Sequence, residues 1–260
     1  MTTHERVLLA NHLHHLARRT QDDRLIFATE AHYEQCAQDI RDLAKEHQIS
    51  ICAWALVPDG FHLIATPGED PQVLSSYMKS ISCRASLRLA RHYSRQKAGS
   101  PEVADSSSPW DSRFLSSPIE RGQWLLAAMC FVEKLPVAEK LADTAFRYHH
   151  SSYRMRLGKT DNYWLDDPQE YASLGDHLVE RAQAYRNYFK IGLAPQVWSM
   201  IATAVKRGRL TGSQQFVDKV AREHGFFAPN RGPGRPRKPP EPPESPDSSD
   251  SSDLNTPPEE

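Results

Sequence analysis

The stretch "ISICAWALVPDGFHLIATP", residues 49–67, limits the fold more than any other part of the chain. Two runs of strand-forming residues flank Pro-Asp-Gly, the chemistry of a tight hairpin turn. Helical patterns lie on both sides. Upstream, behind Thr29 as an N-cap, apolar or small residues recur at Tyr33, Cys36, Ala37, Ile40, Leu43 and Ala44. Downstream, a long helix is expected from about Asp70 to Arg95, with Leu74, Tyr77, Met78, Ile81 and Leu89 turned toward the sheet. "NHLHHLARR" supplies a strand before the first helix and "RFLSSPI" one after the second. "ERGQWLLAAMCFVEKL" reads as a third helix, which Pro136 should stop. The order β-α-β-β-α-β-α is that of a ferredoxin-like α+β domain, an antiparallel sheet with helices on one face.

This domain is expected to span 1–157. Residues 158–227 read as helical and end in two helices joined by a turn with Gly208 and Gly212. From 228 to 260 the chain is rich in Pro and Ser and should be disordered. The 260 residues hold 39% hydrophobic and 25% charged side chains, enough for a core. No apolar run reaches the length of a membrane span, and the N-terminus lacks the pattern of a signal peptide. Cys36, Cys52, Cys83 and Cys130 lie far apart, as in a reduced, cytoplasmic protein.

The net charge of −1 hides an asymmetry. The last 22 residues carry seven acids and no base, so the rest of the chain holds +6. A basic body suits a polyanion such as nucleic acid. The helix after the hairpin carries Arg84, Arg88, Arg91 and Arg95 along one face, with Lys79 and Lys97 nearby and no acid between residues 71 and 100. Bare arginines in such a row suit phosphates; the competing role is a solvated face. Arg147, Arg154 and Arg156 lie among Tyr148 and Tyr153, a mixture that can stack on bases or belong to the core. Lys206, Arg207 and Arg209 fall in the late helix–turn–helix. "RGPGRPRK", with Arg231, Arg235, Arg237 and Lys238, resembles an AT-hook and would reach an AT-rich minor groove; a basic linker is the plainer role. The acidic tail beyond it could fold back and compete with DNA.

On the second hairpin strand, residues 60 and 62 share a face. Histidines spaced H-x-H on a strand can grip one divalent metal and polarise a phosphate. Here the first position is Gly60 and only His62 remains, which by itself is a half-buried sheet residue beside a turn.

From "HHLARRT" through "ALVPDGFHLIATP", "YMKSISCR", "PWDSRFLSSPIE", "CFVEKLPVAEKL" and "HHSSYRMRLG", the chain resembles the REP-associated single-tyrosine transposases of bacteria, members of the HUH nuclease superfamily. The likeness covers most of residues 10–238. It implies a ferredoxin-like core that recognises folded single-stranded DNA, and cleavage by a tyrosine with a divalent metal, Mg²⁺ or Mn²⁺, on the H-x-H pair. It also implies a nucleoid-associated protein that can work as a homodimer. Arg19, within "HHLARRT", and Arg113, within "PWDSRFLSSPIE", join the expected DNA-binding set.

Matched to the family's motifs, the first metal histidine falls on Gly60 and the nucleophile on Phe131. The polar residue one helical turn later falls on Leu135, with Glu133 between them. Phe cannot form a phosphotyrosine bond, and neither Gly nor Leu offers a ligand. The resulting expectation is a DNA-binding protein without catalysis, needing no cofactor. Two alternatives stay open. One is an active, metal-dependent transposase in which His12, His14, His149 or His150 rebuilds the metal site and Tyr148 or Tyr153 replaces the nucleophile. The other is an RNA-binding regulator, against which the few strand aromatics, Trp54 and Phe61, count.

Overall fold

The hairpin forms as expected: β2 (Ser50–Val57) and β3 (Gly60–Thr66) pair around Pro58 and Asp59. The computed structural model describes residues 6–96, 108–160 and 163–225. In it the hairpin joins β1 (His14–Arg19) and β4 (Leu115–Pro118) in one antiparallel sheet of order β2-β3-β1-β4. β1 is central, pairing with β3 on one side and β4 on the other. This is the strand order of a ferredoxin-like α+β domain.

α1 (Glu30–Glu46) and α2 (Val73–Gln96) cover one face of the sheet. Leu16, Trp54, Leu56, Phe61 and Leu63 meet Cys36, Ile40 and Leu43 of α1 and Leu74, Tyr77, Met78, Ile81 and Leu89 of α2. The two periodicities, 2 along a strand and 3.6 along a helix, therefore converge on one apolar layer. The Tyr77 hydroxyl donates to the Ile40 carbonyl at 2.9 Å and ties α2 to α1.

The opposite face is not bare, as a sheet with helices on one face would leave it. α3 (Gln123–Ala138) lies there, its Leu125, Ala128, Phe131 and Val132 packed on Leu13, Ala53, Ala55 and Ile64. α3 also runs through Pro136 instead of stopping before it. A proline forfeits a single i→i−4 hydrogen bond, which matters least in a last turn. That turn is closed by Glu139 N donating to Leu135 O and Leu141 N to Pro136 O, both at 2.8 Å.

Most of the helices after residue 157, with the short turn just before it, complete this second layer, while Val217 and Val220 of the last one pack on Leu9 and Leu210. These elements are α4 (Tyr153–Arg156), α5 (Gln169–Ala172), α6 (Leu178–Ile191), α7 (Pro195–Arg207) and α8 (Gln214–His224). Tyr171, Tyr185, Phe189 and Ile201 share one apolar cluster with α3. Residues on both sides of the expected 157/158 boundary share that cluster and fall in one compact unit, Met1–Ala228. Gly208, at φ 61°, ends α7, and the chain then runs beside β4. There Thr211 N donates to Pro118 O and Glu120 N to Thr211 O, each at 2.8 Å. The AT-hook-like Arg231, Arg235, Arg237 and Lys238, the acidic tail and Lys97 lie outside the described residues. Among the described residues, no helix is long and apolar enough to cross a membrane.

Candidate functional site

A cleft of about 1010 Å³ opens between the ends of β1 and β3, α3 and α7. His62, Phe131 and Leu135 all line it, so the fold brings together the positions that the motifs singled out. The Phe131 ring packs edge-on to His15 at 5.6 Å between centroids and against Trp198 at 4.4 Å. Phe131 and Leu135, one turn apart on α3, thus place an apolar wall opposite the histidine.

His62 has a partner, and it is His15. His15 Nε2 and His62 Nδ1 lie 2.9 Å apart, and both rings are buried. β1 and β3 are adjacent and antiparallel, with His15 opposite Ile64 and His62 opposite Ala17. The two imidazoles are therefore diagonal neighbours on the α3 side of the sheet. Burial holds both rings neutral: it lowers the His15 pKa to about 3 and that of His62 well below the usual histidine range, where His15 and Arg19 add to the effect. Their remaining nitrogens, His15 Nδ1 and His62 Nε2, have no hydrogen-bond partner. A neutral imidazole has one donor and one acceptor, so either tautomer arrangement leaves one N–H unanswered.

The expected substitutes for the missing metal ligand do not reach this pair. His14 is engaged elsewhere: its Nε2 accepts from Leu9 N at 3.0 Å, and its Nδ1 lies 2.7 Å from the His12 carbonyl. His12 stacks on Phe216 at 5.5 Å. His150 pairs with Glu30 at 2.9 Å, and His149 lies 3.4 Å from Arg154. Among the described residues, no group of three or more His, Cys, Asp or Glu is gathered at metal-holding distances.

Gly60 shows why a second imidazole has no place here. A Cβ built on Gly60 would lie 2.0 Å from the Arg18 carbonyl oxygen and 3.1 Å from the Arg19 Cα, both backbone atoms of β1. The end of β3 has closed onto β1 at Arg19–Gly60. The residues present therefore do not fit an H-x-H metal centre. Arg19 fills the mouth of the cleft instead. Its guanidinium reaches both carboxylate oxygens of Asp59 at 2.6 Å and also pairs with Glu139. With Asp22 and Asp111, the cleft carries four carboxylates against Arg19 and Lys206.

Glu133 points away from this cleft. It is fully buried, accepting from Ser152 Oγ at 2.5 Å and from the Tyr185 hydroxyl at 2.8 Å. Burial raises its pKa to about 6, against the pull of Arg156 and these two donors. Ser152 Oγ in turn accepts from Trp54 N at 3.0 Å, so Glu133 joins α3, β2, α4 and α6. Neither candidate replacement tyrosine lines the cleft. Tyr148 donates to the Leu56 carbonyl at 2.7 Å, and Tyr153 stacks on Phe189 at 4.0 Å.

The arginine row on α2 divides. Arg84 and Arg88 are not bare: both grip Asp39 of α1, Arg84 at 2.7 Å. The acid lies 45 and 49 residues upstream, on the neighbouring helix, so the residues of α2 carry no sign of it. Arg91 and Arg95 are exposed and have no partner among the described residues. Lys79 and Arg113 are exposed as well. Arg154 donates to the Phe146 carbonyl at 3.3 Å. Arg156 is buried and structural, bonded to Tyr163 at 2.8 Å and to Asp167 and the Cys52 carbonyl.

The fold and the cleft define a ferredoxin-like α+β protein whose second sheet face is closed by α3 and the helices that follow. No family model matches the chain, and no curated protein matches it. Among solved structures, a REP-associated tyrosine transposase bound to a REP hairpin is similar. It is 15% identical with a TM-score of 0.50, and the match covers 64% of this chain and 98% of that one. At that identity the likeness establishes a common fold.

Proposed function

We propose that this protein binds DNA, in hairpin or single-stranded form, and does not cut it. The observation that carries this reading is the lining of the cleft. Three of the positions matched to the transposase motifs line it as His62, Phe131 and Leu135, with neither a tyrosine hydroxyl nor a second imidazole among its described lining residues, and Gly60 lies against the β1 backbone. A phosphotyrosine intermediate needs a phenolic oxygen. A metal-assisted attack needs ligands that Gly60 and Leu135 do not supply. The four carboxylates of the cleft would also repel a phosphodiester there. The DNA side of the reading rests on the fold likeness, the neighbour being bound to a REP hairpin, and on the basic body of the chain.

Purified protein incubated with a labelled DNA hairpin carrying single-stranded flanks, with and without Mg²⁺ or Mn²⁺, tests it. Retained binding with no covalent adduct and no nick is the expected result. An adduct that survives denaturation would establish the active-transposase reading instead. Tighter binding to the same sequence as RNA would favour the RNA regulator.

A further inference from the structure

A second groove, of about 760 Å³, lies on the other side of β1, between α2 and the segment that leads into β4. Arg6, Arg18, Lys79 and Arg113 line it, and no acid is among its described lining residues. These four bases differ from the ion-paired arginines of the fold. Arg19, Arg84, Arg88, Arg147 and Arg156 all close ion pairs with carboxylates. None of the groove's four forms an ion pair or a hydrogen bond with another described residue, and Arg18 Nε is buried without any partner.

Aromatic faces hold two of them in place. The Arg6 guanidinium sits 3.6 Å from the Phe114 ring centroid, and that of Arg18 5.5 Å from the Trp110 ring. Trp110 is itself fixed, its Nε1–H donating to Ser86 Oγ at 2.7 Å and Ser82 O at 3.2 Å. A cation–π contact orients a guanidinium while leaving its N–H donors free. The crowding has a cost: burial, then Arg113 and Arg18, lower the Arg6 pKa to about 10. Asp111 acts on Arg18 from outside the groove, since it lines the acidic cleft. Cations assembled against their mutual repulsion, with donors unused, form a surface suited to an anion.

The shape narrows the anion. The lining follows α2 from Ser75 to Ala90, about 22 Å at ~1.5 Å per residue. Exposed Arg91 follows one turn beyond the lining residue Leu87. That length exceeds what one phosphate occupies and suits an extended polyanion.

We infer that this groove holds the sugar–phosphate backbone of a single DNA strand, with Arg6, Arg18, Lys79 and Arg113 on its phosphates. The inference rests on the DNA-binding reading and assigns its site. The test uses the full-length protein, a labelled single-stranded DNA 20-mer and a salt titration of affinity. Compared are wild type, Lys79→Glu with Arg113→Glu, both exposed, and Lys159→Ala as an exposed control outside the groove's lining. The double variant is expected to bind at least tenfold more weakly, with a salt slope shallower by about 1.4, at ~0.7 per phosphate contact. Lys159→Ala should match wild type.

Equal affinity and slope in the double variant would overturn the groove and leave DNA binding standing. No binding by wild type at low salt would overturn both. Displacement of the strand by millimolar inorganic phosphate would show a small-anion site and overturn the strand. A tenfold preference for the RNA 20-mer would overturn DNA as the ligand.

Discussion

His15 Nε2 and His62 Nδ1 are 2.9 Å apart, two buried imidazoles that bond to each other beside the Phe131 ring. The pair occupies the position where the resemblance led one to expect metal-bound histidines, and its chemistry runs the other way. Each ring is held neutral by burial, and each spends one nitrogen on the other.

The pair makes stability depend on pH. Histidines whose folded pKa is lowered bind fewer protons in the folded state than in the unfolded one. Stability is therefore fully present above the unfolded value of about 6.5 and lost as pH falls below it. His14, lowered to about 3, adds to the same effect. Glu133, raised to about 6, opposes it between roughly pH 6 and 4.5. The net expectation is a urea midpoint that falls steadily from pH 7 to pH 4.5. A double variant, His15→Phe with His62→Leu, should flatten that slope, by up to about 1.4 kcal/mol per pH unit for each ring removed.

Gly60→His should not rebuild the metal site. Its Cβ meets the β1 backbone at Arg18, which no rotamer can relieve. The expected cost is about 2–3 kcal/mol in denaturant unfolding. Adding Phe131→Tyr and Leu135→Asn should leave the protein unable to form an adduct with a DNA hairpin. A triple variant of wild-type stability that nicks DNA would refute this.

Removing Asp39 should reveal its ties to Arg84 and Arg88. The Asp39 side chain is 9% exposed, so this is more than a surface pair. Asp39→Ala is expected to cost about 1–2 kcal/mol, discounted because Arg84 is half exposed. Arg84→Ala with Arg88→Ala should lower the unfolding midpoint while changing DNA affinity less than threefold. A large loss of affinity at unchanged stability would return these two arginines to phosphate binding.

Glu133 should behave as a core residue. Glu133→Ala leaves Ser152 and Tyr185 without their acceptor and is expected to cost about 3 kcal/mol, with Glu133→Gln losing about 1. Thermal unfolding measures both. DNA affinity extrapolated to the folded fraction should stay within twofold of wild type.

Much of this fold was legible in the residues. The hairpin of residues 49–67, the apolar spacing of α1 and α2 and the strand around Leu115 are local patterns, and the structure contains each. The phenylalanine at Phe131 and the glycine at Gly60, where the resemblance places a tyrosine and a histidine, were equally visible, because a residue's chemistry needs no partner to be read. What failed was pairing across the chain. The sequence offers His12 and His14 as partners for His62; pairing of β1 with β3 puts His15 there. Arg84 and Arg88 looked bare until α1 laid Asp39 beside them.

Arg6 and Arg18 carry no local sign of their groove, for the same reason. Adjacent residues of a strand face opposite ways, so Arg18 enters the basic groove and Arg19 the acidic cleft. The sequence by itself determined the elements, their order and the side-chain chemistry at Gly60, Phe131 and Leu135, since these depend on local spacing and side-chain type. Only the tertiary structure decided which charges cancel and which remain free, because electrostatic partners are set by distance in space, and folding brings together residues that lie tens of positions apart along the chain.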